Sequence, residues 1–388
     1  MKSVFIILGN GFTIDFINKY NDFLENKKEK RVRIDVQNLF RYGEVIGTPW
    51  DDKPGFLSYK VCPALWTLGA RPNNNAMESN ALIEEIISCA NMFFDFINDP
   101  DQKAKRLGMI NSDDDRIYLR AYCELIVYLR QLFSWYDSLI DDVLLKEFVS
   151  TCPDWGWLSF LQNLDLKEYK KIIFVSYNYD VWLERILKCL GLNYSVYGFD
   201  DNNDDVIEII KPHGSISFVP KNHIDRYEIN YNVDVDGLKI DELELNYDAL
   251  TKYSTGAIIP PAGDSARLQI TSSWAATIRN EAIKKAKELS NDKESIVVMC
   301  GISYWHVDRR EIDELLINLN SDLVKWNYQA TFQKKFSLYV SSFVTIIFLV
   351  FSFFINTATR SRPVVIVIVT HRFIIRSIAF AGIADKLK

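Results

Sequence analysis

The chain has 388 residues, of which 48% are hydrophobic and 25% charged, so its composition is that of a globular protein and excludes a disordered one. Its net charge of −6, with no basic stretch interleaved with aromatic residues, argues against nucleic acid as a partner. The six cysteines lie too far apart in sequence for the paired spacing of a zinc site, and we interpret them as reduced thiols of a cytosolic protein.

The first predicted element is a short apolar strand over Ser3 to Leu8, followed by the turn Gly9-Asn10-Gly11 and a helix-like stretch. A glycine turn between a buried strand and a helix is how α/β proteins bring backbone amides close to the phosphates of a nucleotide. The dinucleotide fingerprint G-x-G-x-x-G is incomplete, because Ile14 stands where its third glycine would be. The alternative interpretation is a tight strand-to-helix turn that binds no ligand.

Residues 75–165 predict a helical insertion. The segments 80–97 and 116–149 are long, carry apolar residues every three to four positions and contain no glycine or proline. We interpret their many aromatic residues as core side chains rather than as contacts to a cofactor.

After the insertion, strand-like and helix-like segments alternate. Strands are predicted at 170–176, within 206–218, at 256–263 and at 295–301, with a helix at 272–289. This alternation predicts an α/β fold whose mostly parallel sheet is covered on both faces. Asp236-Gly237 is interpreted as a hairpin turn, since Leu243 stands where a calcium loop needs its glutamate, and no metal site is expected.

Three polar motifs follow predicted strands, at the sheet edge where open α/β proteins bind their ligands. They are SYNYD after the strand at 170–176, KPHGS at the end of the strand within 206–218, and CGISYWHVD after the strand at 295–301. The candidate residues that these motifs bring to the edge are Asn178, Asp180, His213, Gly214, Gly301, Ser303 and Asp308.

The side chains of these motifs suit acid–base chemistry. A histidine side chain ordinarily titrates near neutrality, so His213 is the natural general base, and Asn178 can hold a water or an amide without a charge of its own. Asp180 can accept a hydrogen bond from a carboxamide, or it can cap a helix that starts at Val181. Gly301 and Ser303 could contact a phosphate or ribose, or could form an ordinary strand-to-helix turn.

Taken together, the motifs resemble a known family. The order G-N-G-F-T, N-Y-D, H-G-S and G-I-S…D, followed by LLINLNSD, resembles the SIR2-like (sirtuin-fold) domains of bacterial antiphage defence proteins. The opening ILGNGFTIDF also resembles the AbiH-type abortive-infection proteins. The resemblance covers about residues 1 to 325, and it implies a Rossmann-like, sirtuin-like sheet that binds NAD with an asparagine and a histidine as the essential pair.

Carried over residue by residue, the resemblance assigns catalytic roles to Asn178, His213 and Asp180. The residues that it assigns to NAD binding are Gly9, Asn10, Gly11, Thr13, Gly214, Gly301, Ser303 and Asn318, with Asn320 as an alternative to Asn318. The two cysteine pairs of the deacetylase sirtuins are missing, so the resemblance favours NAD hydrolysis over protein deacetylation.

We therefore expect an NAD+ hydrolase that acts as an antiphage, abortive-infection effector and releases nicotinamide and ADP-ribose, or a cyclic variant of it. Such an activity must be held off until infection, so a homo-oligomer or a regulatory partner is expected. Two alternatives are a catalytically inactive nucleotide-binding sensor and a membrane-acting toxin that the SIR2-like body regulates. Retention of both Asn178 and His213 favours the enzyme.

A composition break near residue 330 separates this body, residues 1–330, from a basic, apolar tail. Residues 331–388 hold eight Lys or Arg and one acidic residue, whereas the body holds 37 basic and 50 acidic residues. No charge occurs over 336–359, which predicts a transmembrane helix at 336–355 and a possible tether to the inner membrane. Basic flanks on both sides leave its orientation open. The alternatives are a buried helix and a tail foreign to the native fold, as from a shifted reading frame.

Overall fold

The computed structural model describes residues 2–98, 117–152, 155–199, 205–222, 229, 231, 238–248, 250–252, 256–260, 273–289, 296–302, 309–318 and 325–326. Its strands are β1 (Lys2–Leu8), β2 (Gly47–Thr48), β3 (Asp51–Pro54), β4 (Tyr169–Ser176), β5 (Tyr194–Val196), β6 (Ile207–Ile210), β7 (Phe218–Pro220), β8 (Leu243–Leu245), β9 (Ile296–Cys300) and β10 (Lys325–Trp326). Its α-helices are α1 (Asn10–Asn26), α2 (Pro63–Thr67), α3 (Ala76–Asn98), α4 (Ile117–Ser138), α5 (Asp142–Thr151), α6 (Gly156–Gln162), α7 (Trp182–Cys189), α8 (Ser273–Leu289) and α9 (Arg309–Ile317).

A six-stranded sheet forms the centre of the fold, in the order β10-β9-β1-β4-β6-β5. Each neighbouring pair in it is parallel, which confirms the prediction of an α/β protein with a parallel sheet. Every residue from Val4 to Leu8 is at most 3% exposed. Because successive side chains of a strand point to opposite faces, this burial means that both faces of β1 are covered.

The strand predicted at 256–263 is wrong over its described residues, 256–260. Instead of joining the sheet, this segment forms an isolated antiparallel bridge between Ile258 and Gly214. A physical reason lies in the sequence, since Pro260 and Pro261 have no backbone N–H to donate to a ladder.

Helices α3 to α6 lie between β1 and β4 in the chain, over the segment predicted as a helical insertion. Helix α4 is the most buried of them, and it carries the charged residues Glu124 and Arg130 fully inside the protein. Arg130 donates hydrogen bonds to the carbonyl oxygens of Ile216 and Leu250, so the insertion is joined to the segment that follows His213.

Several sequence predictions lie outside the described residues. They include the hairpin turn at Asp236-Gly237 and the whole tail at 331–388, with its proposed transmembrane helix at 336–355. Within the part of the chain that the structure describes, no helix combines the length and the apolar character needed to cross a membrane.

Candidate functional site

The candidate site lies where the chain changes direction across the sheet. From β1 the chain builds β4, β5 and β6 on one side, then crosses to add β9 on the other side of β1. Ligands of open α/β sheets bind in the crevice at such a switch point, beyond the carboxyl ends of the strands. Leu8 is in register with both Ser176 and Cys300, so the residues that follow these three strands meet at one edge.

The turn Gly9-Asn10-Gly11 packs directly on the turn that follows β9. The amide of Gly9 donates to the carbonyl oxygen of Cys300 at 3.0 Å, and the amide of Gly11 donates to that of Gly301 at 2.9 Å. A Cβ on Gly11 would overlap the Cα of Gly301, whose φ of +65° itself favours glycine. The glycines that the sequence analysis assigned to a ligand therefore have a packing role in the protein.

Helix α1 begins at this turn with its N-terminus directed at the crevice. Gly9 is its N-cap, no side chain caps the helix, and its first turn holds no acidic residue. Asn10 is exposed at the same point. A helix N-terminus in this position favours an anionic group such as a phosphate.

Asn178 lies beside the turn with one half of its carboxamide unused. The side chain is 3% exposed, and its Nδ2 donates to the carbonyl oxygen of Gly9 at 3.1 Å. This bond sets the orientation of the amide, since a carbonyl oxygen can only accept. Among the residues that the structure describes, none donates a hydrogen bond to the buried Oδ1. Such an orphaned acceptor suits a water or a hydroxyl group of a ligand.

Asp180 and Thr13 form a buried pair behind Asn178. Thr13 Oγ1 donates to Asp180 Oδ2 at 2.6 Å, and the backbone amide of Trp182 donates to Asp180 Oδ1 at 3.3 Å, near the start of α7. Burial raises the pKa of Asp180 to about 6, although Lys211 and the Thr13 bond oppose the rise. Both residues thus have partners inside the protein. The expected capping role of Asp180 is wrong, because the N-cap of α7 is Val181 and no side chain caps the helix.

Lys211 is a member of the site that the sequence analysis missed. Its ammonium group donates to the carbonyl oxygen of Asp180 at 2.6 Å, to Glu184 Oε1 at 2.9 Å and to Ser215 Oγ at 3.0 Å. The Lys211 and Glu184 side chains are 1% and 2% exposed. The available signal was a lysine directly after β6, a buried and mostly apolar strand, since a lysine there is buried only when paired.

His213 is held from two sides. Its Nε2 is 2.6 Å from Glu311 Oε2 in α9, and the Tyr177 ring meets the imidazole edge to face, with 4.9 Å between ring centroids. The next residue, Gly214, has a φ of +78°, and a Cβ there would overlap the carbonyl oxygen of Ala257. The sequence analysis did not identify Glu311. A single acidic residue on the buried face of a short helix is the signal that the sequence offers, and by itself it does not indicate a partner.

Of the remaining predicted residues, Asn318 is described by the structure and lies apart from this cluster. Asn318 follows α9, and its side chain donates to the carbonyl oxygen of Glu314. At 1.5 Å per residue, Asn318 lies about 10 Å from Glu311 along the helix axis. Ser303, Asp308 and Asn320 lie outside the described residues. Searching the described residues for three His, Cys, Asp or Glu side chains that could hold a metal ion finds no such group.

When compared with known proteins, the chain matches no protein-family model and no curated protein sequence.

Proposed function

We propose that this chain binds NAD+ at the crevice beyond β1, β4 and β9 and hydrolyses the bond between nicotinamide and ribose. The observation that carries the proposal is the buried Asn178 carboxamide. Its nitrogen is fixed on Gly9, and its oxygen has no donor among the described residues. A buried acceptor beside a glycine turn and a helix N-terminus fits a ligand that carries both phosphates and hydroxyl groups.

In this proposal the turn and the start of α1 bind the pyrophosphate, which places the nicotinamide ribose toward the ends of β4 and β6. Asn178 Oδ1 accepts a hydrogen bond from the attacking water or from a ribose hydroxyl. Nicotinamide leaves with the electron pair of the glycosidic bond, and water adds to the anomeric carbon. His213 takes the proton that the water loses, so that NAD+ and water give nicotinamide, ADP-ribose and a proton.

The strand order supports the Rossmann-like, sirtuin-like assignment of the sheet. Reading across the carboxyl edge, the H-G-S segment follows β6, N-Y-D follows β4, G-N-G follows β1 and the G-I-S segment follows β9. The four motifs on which the resemblance depends thus lie on adjacent strands. Asp180, Thr13 and Lys211 then act as the support that holds Asn178 and His213 in place.

The test is NAD+ cleavage by the purified chain, with nicotinamide and ADP-ribose measured by chromatography. We expect Asn178→Ala and His213→Ala each to lower the rate by at least about 10²-fold. Asn163→Ala, at an exposed asparagine outside the site, is the matched control and should leave the rate unchanged. Equal rates in all variants would contradict the proposal, and NAD+ binding without cleavage would favour the inactive sensor.

We propose further that NAD+ depletion by this chain is an abortive-infection response, restrained by a homo-oligomer or a regulatory partner. In cells expressing the chain, NAD+ should fall on phage challenge and should hold steady in the Asn178→Ala and His213→Ala variants. A chain ending at residue 330 tests the membrane tether. Retained NAD+ loss without toxicity would assign the toxicity to the tail, whereas unchanged toxicity would assign it to the body.

A further inference from the structure

The histidine of the site is paired with a buried carboxylate from a distant part of the chain. His213 follows β6 and Glu311 lies in the first turn of α9, yet Nε2 and Oε2 are 2.6 Å apart. Both side chains are 2% exposed. Burying a charged carboxylate costs free energy unless a partner donates a hydrogen bond to it. The contact therefore determines which imidazole nitrogen carries a proton.

Side chains from two other elements contact this pair. Arg279 in α8 reaches Glu311 from behind, with its Nε 3.8 Å from Oε1, and it also pairs with the half-exposed Glu314. On the β4 side the imidazole meets the ring of Tyr177. Glu311 is thus an acidic group in direct contact with the imidazole, and Arg279 is a basic group beyond it.

The chemistry of the contact follows from what each atom can do. An ionised carboxylate only accepts hydrogen bonds, so Nε2 of His213 must be its donor. In a neutral imidazole the other nitrogen, Nδ1, then carries the lone pair and is the atom that takes up a proton. Once Nδ1 is protonated, the adjacent carboxylate stabilises the positive imidazolium.

We propose that Glu311 is the positioning residue of His213, holding the imidazole with Nδ1 as the basic nitrogen and stabilising the imidazolium that forms there. This inference rests on the proposed function, in which His213 is the base of NAD+ hydrolysis. As the water oxygen bonds to the anomeric carbon, one water proton moves to Nδ1 and nicotinamide leaves with the electron pair. The proton returns to solvent after the product forms.

The activity test compares Glu311→Gln with Glu314→Gln, a matched change one turn along α9 at a half-exposed partner of Arg279. We expect Glu311→Gln to lower kcat about 10²-fold with little change in KM, and its acidic limb of the pH–rate profile to move to lower pH. Glu314→Gln should match the native chain. In the His213→Ala background, Glu311→Gln should cost nothing further, because Glu311 acts through the imidazole. Full additivity of the two losses would overturn the proposal.

A second measurement does not depend on activity. The chain has four histidines, so nitrogen-15 NMR of histidine-labelled full-length protein can identify the His213 signals by their loss in His213→Ala. We expect the Nε2–H tautomer in the native chain, and a protonation midpoint that moves to lower pH in Glu311→Gln but not in Glu314→Gln. Glu311→Asp, which keeps the carboxylate, should restore part of the midpoint.

The two measurements separate the two proposals. Unchanged tautomer and midpoint in Glu311→Gln would overturn the role of Glu311. A shifted midpoint in a chain that does not cleave NAD+ would contradict the proposed function and leave the control of His213 by Glu311 supported.

Discussion

Replacing Lys211 with methionine removes the charge that joins the two loops of the site while keeping an apolar stem of similar length. The ammonium group is 1% exposed and links the carbonyl oxygen of Asp180, the carboxylate of Glu184 and the hydroxyl of Ser215. The Glu184 carboxylate is only 2% exposed, so the loss of the ammonium group leaves it buried without this cation.

The magnitude follows from the cost of breaking a buried ion pair. Removing one partner of such a pair costs about 3–5 kcal/mol, because a buried charge is left uncompensated. Since a folded domain is stable by only about 5–15 kcal/mol, we expect Lys211→Met to remove a large part of the free energy of unfolding. Neutralising the partner should recover much of this loss. In Lys211→Met/Glu184→Gln we expect a cost of about 1–3 kcal/mol, the penalty for a buried carbonyl of Asp180 that has lost its donor.

The assay is urea unfolding at pH 7, followed by tryptophan fluorescence, for the native chain, the two single variants and the double variant. Lys188→Met, at an exposed lysine at the end of α7, is the control and should change stability by no more than about 0.5 kcal/mol. A cost below about 1 kcal/mol for Lys211→Met would refute the reasoning, because a buried ion pair cannot be broken so cheaply. A double variant whose cost equals the sum of the singles would also refute it.

Three further predictions concern the turns and the buried acid of the site. Gly214→Ala and Gly191→Ala both place alanine at positive φ, which costs about 1–2 kcal/mol, but only at Gly214 would the Cβ also overlap the carbonyl oxygen of Ala257. Thermal unfolding should therefore show a clearly larger loss for Gly214→Ala, and equal losses would contradict the model of the turn. Gly11→Ala should cost about 3 kcal/mol by overpacking the contact with the turn after β9, and an unchanged melting temperature would argue against that contact. The pKa of Asp180 lies at about 6 rather than 3.8, so the folded state holds this proton more tightly and the native chain loses stability as pH rises from about 4 to 6. In urea titrations, the free energy of unfolding of the native chain should fall by at most about 3 kcal/mol relative to that of Asp180→Asn over this pH range. A difference between the two chains that does not change with pH would show that the pKa of Asp180 is not raised.

The sequence by itself located strands β1, β4 and β9 and indicated that the sheet is mostly parallel. The predicted strands at 170–176 and 295–301 agree to within one residue at each end with β4 and β9. Runs of Ile, Val and Phe with few charges are typical of strands buried on both faces, and helices between successive strands favour parallel pairing. Both signals depend only on residues that are close in sequence, so they can be recognised from a single sequence.

The tertiary structure alone decided what the polar side chains do. From the sequence of its own turn, Thr13 is suited to contact a ligand. In the fold, its hydroxyl donates a hydrogen bond to Asp180, which is 167 residues away. Glu311 and Lys211 acquire their roles from partners on other elements, because a buried charge persists only where folding supplies its counter-charge. The strand prediction at 256–263 failed because the amides of Ala257 and Ile259 donate to Phe218 and His213 instead of to the central sheet, and the prolines that follow have no N–H to donate. Local pattern sets which segments can be buried, and only the packed fold decides which polar groups are buried with them and what they face.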